Sequence, residues 1–458
     1  MPRTRNERLD ALLREAGWSR AQTAAAFNRI AAQNRNAAGI GRSHVSMWVG
    51  GTRPASDTAV VLCAALTRRL KRIVTPDELG FAGPGGTALD TPQWDTDPLT
   101  TLADLGRADL DAERRSILTG SLYSALSMAL PGQTWWQMMA ATPSSSLRRQ
   151  RTGRGDVDTV RELTAAFSRV DQRRGGGHGR RALVQYLHSD VAGLLHGTFA
   201  GDDVRRDMFS AASELSYLSG WTAFDNSEHA TAQRYFVLAV KLAARADDYP
   251  LSGHILRAMA HQAIDLGEFK YGLDLAAASI EGRRYASATP RERALLGVVH
   301  ARALAANGLK AEAARTLVKA EDDLTAAEDG IQEPDRTFFF GEASLAHETA
   351  CALRDLGDRQ GAIEQFQRSV RKRGAAFRRT HAVTLGYLGA VQIAAGAVEE
   401  ACSTWTVALD AMEDGIYSGR ARQSVADMRA LLSPFRRRGI IAVTEIDHRA
   451  RRYLTQVD

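Results

Sequence analysis

The chain has 458 residues, 44% hydrophobic and 24% charged, which excludes a disordered polymer and allows a large buried core. At roughly 100–200 residues per domain the length corresponds to two to four domains. Cys63, Cys351 and Cys402 lie far apart and exclude both a disulfide framework and a CxxC pair. The N-terminal MPRTRNERLDALL is charged and has no apolar core, so it does not read as a secretory signal. No apolar run approaches the ~18–20 residues of a membrane span, and a cytoplasmic protein without membrane contact is expected.

The net charge of +6 is unevenly placed. Residues 1–80 hold 13 Lys+Arg against 6 Asp+Glu, and the rest of the chain holds 46 against 47. One basic module at the N-terminus is the signature of a domain that meets a polyanion.

In chain order, residues 6–16 predict a short helix with Leu9, Leu12 and Leu13 on one face, ended by Gly17. Ser19 with Gln22 forms a capping-box pattern that opens a second helix, whose apolar face is Ala24, Ala25, Phe27, Ile30 and Ala31. After a polar stretch from Gln33 to Gly41, a third helix starts near Arg42 with Val45 and Trp48 inward, and Gly50, Gly51 and Pro54 stop it. A fourth runs from Thr58 to Leu70, carrying Val60, Val61, Leu62, Ala65 and Leu66. Gly83, Pro84, Gly85, Gly86, Pro92 and Pro98 mark a linker. A helix from about Leu110 to Leu130 comes next. Beyond a second irregular stretch, Thr142 to Gly155, the chain is Ala- and Leu-rich and reads as helical, with no strand-like alternation.

The C-terminal part repeats. Small turn residues Ser227, Gly267, Gly308, Gly357 and Gly396 fall at spacings of 40, 41, 49 and 39. Five residues after each stands Ala232, Gly272, Ala313, Ala362 or Ala401; twelve after stands Ala239, Ser279, Ala320, Ser369 or Ala408. Small residues in phase let antiparallel helices approach closely, the logic of tetratricopeptide-type helical hairpins, although the period exceeds the ~34 residues of that consensus. Such a stack curves and leaves a concave inner face, here from about Ser227 to Ala408, with the Gly175–His178 turn near its rim. The expected fold class is all-α, with an N-terminal helix-turn-helix domain (1–81), a linker (82–105), a connecting helical segment (106–141), a second linker (142–155) and an α-solenoid of helical hairpins (156–458).

Residues 12–54, with Ser19, Gln22, Ala24, Val45, Ser46, Trp48, Gly51, Arg53 and Pro54, resemble a phage-repressor-like (XRE-type) helix-turn-helix. Two features depart from that pattern: a longer link from Gln33 to Gly41, and Val49 where the family often has Glu. The segments RELTAAFSRVDQRRGGGHGRRALVQYLHSDVAGLLHG (161–197) and ELSYLSGWTAFDNSEHATAQRYFVLAVKLA (214–243) resemble actinobacterial regulators that join such a motif to tetratricopeptide-like repeats. The architecture is also similar to peptide-sensing quorum regulators, without a close sequence match. The resemblance implies a sequence-specific DNA-binding transcriptional regulator of development or secondary metabolism. It names no effector.

In that register the start of the third helix faces base edges. Arg42 is suited to a bidentate pair with guanine, Ser43 and Ser46 to bases or phosphates, and Met47 to a thymine methyl, with His44 among them. Arg20 and Gln22 open the second helix beside a phosphate position, and Arg53 lies on the following loop. Double-stranded DNA is the expected partner. A homodimer is expected because one reader buries too little surface for tight specific binding. An effector pocket at Arg173, Gly176, His178 and Arg181 is one reading of the glycine turn, since amides plus arginines hold anions; a tight interhelical turn with exposed arginines is the other. Trp221, Tyr235 and Phe236 read as core. Asp225 with His229, His254 with His261, and His347-Glu348 lack a third ligand, so no metal, cofactor or enzyme is expected. The effector is open between a small molecule, a peptide and a protein. The competing reading is a protein-interaction scaffold whose helix-turn-helix does not bind DNA.

Overall fold

The structure, a computed structural model, describes residues 5–33, 39–54, 56–70, 74, 78–81, 94–111, 114–115, 118, 123, 130–142, 151–327 and 331–456. The described residues are all-α apart from one two-residue parallel ladder, β1 (Arg151–Thr152) with β2 (Thr198–Phe199).

The N-terminal unit is α1 (Glu7–Glu15), α2 (Arg20–Gln33), α3 (Arg42–Val49) and α4 (Ser56–Leu70). Asn6 caps α1 by accepting from the Leu9 N–H, and its amide donates to the Leu79 carbonyl, so one side chain ties both ends of the unit. Leu9, Leu12, Phe27, Val45, Trp48, Leu62 and Leu66 share one core, with Phe27 and Trp48 rings 6.1 Å apart. Ala25, expected on the inner face of α2, is exposed: Ala24, Phe27, Ile30 and Ala31 hold the buried stripe, and Ala25 lies about 100° away from Ala24 around the helix. Val60 lies outside the residues whose side chains are described.

The expected linker 82–105 ends early. Pro98 opens α5 (Pro98–Leu110) at a first-turn position where its missing N–H costs nothing, and Asp97 caps it through the Leu99 and Thr100 N–H groups. Most of the expected helix from Leu110 to Leu130 falls outside the described residues. After it come α6 (Gln133–Ala141), α7 (Arg154–Arg174) and α8 (Gly176–Tyr186), a π-turn, and α9 (Ala192–Leu195). α5 buries Leu99, Leu102, Leu105 and Ala108 in the core of the following helices, and charge adds to this: Arg180 donates to both oxygens of Asp109 at 2.9 and 2.6 Å, and the Tyr235 hydroxyl donates to the same carboxylate at 2.9 Å.

Five helical hairpins come next. They are α10 (Asp202–Asp225) with α11 (His229–Arg245), and α12 (Tyr249–Asp265) with α13 (Phe269–Ser279). After the short α14 (Arg283–Ala286) come α15 (Pro290–Ala306) with α16 (Lys310–Ala326), α17 (Glu342–Asp355) with α18 (Arg359–Lys372), and α19 (Arg378–Ala394) with α20 (Val398–Glu413). α21 (Gly419–Leu432) and α22 (Ile441–Gln456) close the chain.

The five turn residues are those that set the period. Ser227, Gly267, Gly308, Gly357 and Gly396 all adopt the left-handed conformation, with φ of 63°, 78°, 77°, 86° and 89°. At each, the turn N–H donates three residues back and the next N–H donates five back, as Gly267 to Ile264 and Glu268 to Ala263 do. That pair of bonds satisfies the last carbonyls of the first helix and aims the second antiparallel to it. The small residues five and twelve positions later are buried in every hairpin. At Gly272 a Cβ would stand 2.9 Å from the Ile264 side chain, so the close approach needs glycine there.

The concave face expected over 227–408 is partly closed off. The Tyr417 N–H donates to the Arg174 carbonyl at 2.6 Å, Gly177 N–H donates to the Tyr417 carbonyl at 3.0 Å, and Arg379 of the fifth hairpin reaches Asp171 and Asp225 at 3.1 Å each. The array curls back on its own beginning and encloses an interior. The 49-residue spacing explains what fills one side: a segment between α16 and α17 carries a 3₁₀ turn (Asp335–Thr337) and turns Arg336 and Phe339 inward.

Candidate nucleic-acid face and interior cavity

The α2–α3 pair presents a polar side away from its core. Ser19 and Gln22 form the reciprocal cap, Ser19 N–H to Gln22 Oε1 at 2.8 Å and Gln22 N–H to Ser19 Oγ at 3.2 Å, so Gln22 is occupied in holding α2. The link into α3 is pinned from α2: Asn28 exchanges two hydrogen bonds with the backbone of Ile40, at 2.9 and 2.8 Å. Val45, Trp48 and Val49 point inward. Val49 is 2% exposed, which is why an apolar side chain serves at that position.

What remains outward is the predicted set. Arg42, Ser43, His44, Arg20 and Arg53 are exposed, and Met47 is 46% exposed despite being a large apolar side chain. Arg20 donates to Ser46 Oγ at 3.3 Å, placing the start of α2 beside α3. His44 Nδ1 accepts the Gly41 N–H, so one of its ring nitrogens caps its own helix. Among the described residues the Arg42 and Arg53 guanidinium groups have no carboxylate partner.

The glycine turn is a packing joint. Gly175 is left-handed (φ 90°), Gly176 N–H donates to Asp225 Oδ2 at 2.9 Å, and a Cβ on Gly176 would lie 2.4 Å from the Thr222 carbonyl. His178 stacks on Tyr417, and Arg173 and Arg181 are exposed. The Gly176 and Gly177 amides are thus already bonded to protein, which leaves His178 and the exposed Arg173 and Arg181 at this turn without free glycine amides beside them.

The cavity is elsewhere. A space of about 820 Å³ lies between α7, α10, the start of α12, α15 and residues 332–339. A smaller space of about 60 Å³ lies beneath it, and Gln172, Trp221 and Phe339 line both. Trp221, read from sequence as core, is therefore a cavity wall. Around this interior runs a network of buried charge. Arg302 bridges Asp265 (2.6 Å) and Glu348 (3.1 Å), Arg420 reaches Asp265 (3.3 Å), and Arg336 bridges Glu292 (2.7 Å) and Glu214 (3.1 Å). Burial pushes the Asp265 carboxyl up, but Arg302, His261 and Arg420 together outweigh it and hold the carboxyl well below the usual range. Asp171 goes the other way: burial raises it to about 6 even though Arg379 opposes the shift, with Asp225 adding to it.

Three buried histidines, His254, His261 and His347, belong to this network, and the hydrogen bonds of His254 and His347 place their protons. Arg257 has only donors and points Nη2 at His254 Nε2 (3.1 Å), so His254 carries its proton on Nδ1. Thr384 gives its hydroxyl proton to the Thr380 carbonyl, so its oxygen accepts from His347 Nδ1 at 2.9 Å. Cys351, whose thiol burial raises to about 12, faces His347 Nε2 as a donor at 3.8 Å. Burial drives His347 down to about 3 and lowers His254 and His261 as well.

Stability therefore depends on pH. Below pH ~6.5 the unfolded chain protonates these histidines and the folded chain does not, so stability falls as pH drops from 6.5 toward 3. Asp171 offsets part of this between pH 6 and 4, because its folded form holds the proton more tightly. The expected result is a urea midpoint lower at pH 5 than at pH 7, with His347 alone contributing about 2 kcal/mol. His347→Gln should flatten that dependence; a midpoint unchanged or higher at pH 5 would contradict the assignment of neutral buried histidines.

Sequence reasoning does not single out the interior arginines, yet the sequence carries a signal for them. His254, Arg257, His261 and Asp265 stand at spacings of 3, 4 and 4 on a mostly apolar helix, a polar stripe from which Arg257 and His261 line the cavity. Among the described residues no cluster of metal-ligating side chains occurs, and no helix is long and apolar enough to cross a membrane. Of known families, one described as the SP15 N-terminal domain matches residues 9–82, the span of α1–α4. No curated protein and no solved structure matches the chain.

Proposed function

We propose that the chain is a sequence-specific DNA-binding transcriptional regulator of the XRE-type helix-turn-helix kind, with α3 as the recognition helix. In this reading the hairpins are tetratricopeptide-like repeats that sense an effector, and the working form is a homodimer. The observation that carries the proposal is the α2–α3 face: Arg20, Arg42, Ser43, Met47 and Arg53 project from one exposed side of a unit whose apolar core residues point the other way. The basic excess of residues 1–80 supports it. In this reading the exposed Met47 side chain would meet a thymine methyl.

Fluorescence anisotropy with the full chain tests it. Affinity should fall steeply between 50 and 200 mM salt, because bound cations release condensed counterions. Arg42→Ala should cost about 1–3 kcal/mol on the preferred site and little on random DNA. Arg20→Ala should weaken both alike. Equal effects of the two substitutions on both kinds of DNA would overturn α3 as the reading helix. Light scattering of the same sample should give a dimer mass; a strict monomer at micromolar concentration would remove the two-fold reading of the site.

A further inference from the structure

The interior cavity is a second site, independent of whether the chain binds DNA. We propose that the smaller cavity is an anion site that takes the terminal carboxylate or phosphate of a small organic ligand, whose flat apolar group stacks on Trp221 and Phe339 where the larger cavity begins.

The decisive feature is a charge without a counter-charge. Arg257 is 2% exposed, and a buried cation ordinarily has a carboxylate beside it. Arg302, Arg336, Arg379 and Arg420 all do. Arg257 has no ion pair among the described residues: its Nη2 donates to the Tyr217 hydroxyl (2.7 Å) and to neutral His254, and its Nε is buried with no partner. The rings of Tyr217, Trp221 and Phe339 surround it at 5.6 to 5.8 Å.

The other walls add to the positive charge. Arg373 lines the same space, and among the described residues its guanidinium meets only the Ala343 carbonyl and the Ser344 and Ser369 hydroxyls. Burial, with Arg379 nearby, lowers it to about 10. Glu348, the one carboxylate in the lining, is already committed to Arg302 and His261 at 3.1 and 3.5 Å. The space is therefore positive. At about 60 Å³ it exceeds the roughly 10–15 Å³ that one water needs and holds a group of several atoms. Its roof is the aromatic pair Trp221 and Phe339, which leads into the larger cavity.

That larger cavity has the opposite character. Its lining holds Asp247, Asp248, Glu333 and Asp335 among eight acids, against four arginines. A second anionic group on the ligand's body would be repelled there. The fitting ligand thus has a single anionic end, next to an aromatic or other flat apolar group that stacks on Trp221 and Phe339. Because Phe339 belongs to the segment inserted between the third and fourth hairpins, the ligand would also hold that segment in place.

The test uses the purified full chain and three probes of one shape: benzoate, phenyl phosphate and uncharged benzamide. Thermal shift and calorimetry should show stabilisation by benzoate, by phenyl phosphate, or by both, and none by benzamide. Benzoate alone identifies a carboxylate site and phenyl phosphate alone a phosphate site. Arg257→Met should weaken the effective probe about tenfold or more, since a charge-assisted hydrogen bond is lost. Arg257→Lys should recover part of it. If the variants do not fold, crystals of the native chain soaked in the 4-bromo derivative of the stabilising probe decide: the bromine signal in the large cavity with the anionic group at Arg257 supports the site, and its absence overturns it. Equal stabilisation by benzamide, or none by any probe at millimolar concentration, overturns it too.

Discussion

Replacing Arg379 with alanine is expected to destabilise the folded chain by about 3–5 kcal/mol, the cost of leaving buried charge without its partner. Arg379 is 2% exposed and is the cation between two buried carboxylates, Asp171 and Asp225, each at 3.1 Å. Its Nε also donates to the Asp171 carbonyl at 3.3 Å. With Arg379 gone, Asp171, already raised to about 6 by burial, is expected to stay protonated at neutral pH. Arg379 sits on the fifth hairpin and both acids lie before the second, so the loss falls on the closure of the array. Hydrogen exchange should therefore speed up first at residues 171–177 and 415–420. Arg379→Lys, which keeps a charge but not the planar fork, should fall between the two. A loss below about 1 kcal/mol would mean that packing alone closes the array.

The second large effect belongs to Asp109. Asp109→Ala should cost about 3–5 kcal/mol, because Arg180, 2% exposed, loses a bidentate partner and keeps only Glu228 at 3.4 Å. The Tyr235 hydroxyl, fully buried, loses its acceptor as well. α5 should detach from the hairpins, and proteolysis should then cut between residues 94 and 111. Replacing both members, Asp109→Leu with Arg180→Met, should recover most of the stability, since a well-packed apolar pair often equals a buried ion pair. A double variant as unstable as Asp109→Ala would place the effect in packing rather than charge.

Both residues act across long sequence separations, and that divides what is legible in the sequence from what is not. The hairpin turns can be read because each needs a left-handed residue, and glycine supplies it at four of the five positions. Ser227 shows only through the phase of its neighbours. The capping box at Ser19 and the inward Val45 and Trp48 are readable because both are local. The start of α5 is hidden because Pro98 reads as a breaker, although Asp97 before it marks a helix start. The glycine turn at Gly175 has the composition of an anion cradle, and its amides instead bind Asp225 and Tyr417, some 49 and 240 residues away. The cavity depends on the same kind of distant meeting. Arg336 lies 122 residues from Glu214, and no spacing rule joins them. The stripe His254, Arg257, His261, Asp265 is the one local trace of it.

Whether the α2–α3 face reads DNA sequence is tested most directly by selection of double-stranded DNA from a random pool by the purified full chain, with sequencing of the bound fraction. One enriched motif is expected, with guanine at a position whose preference disappears in Arg42→Ala. A dimer should give that motif as two inverted half-sites. A bound fraction with no enriched sequence, or an enriched motif unchanged in Arg42→Ala, would contradict a sequence-reading role for α3.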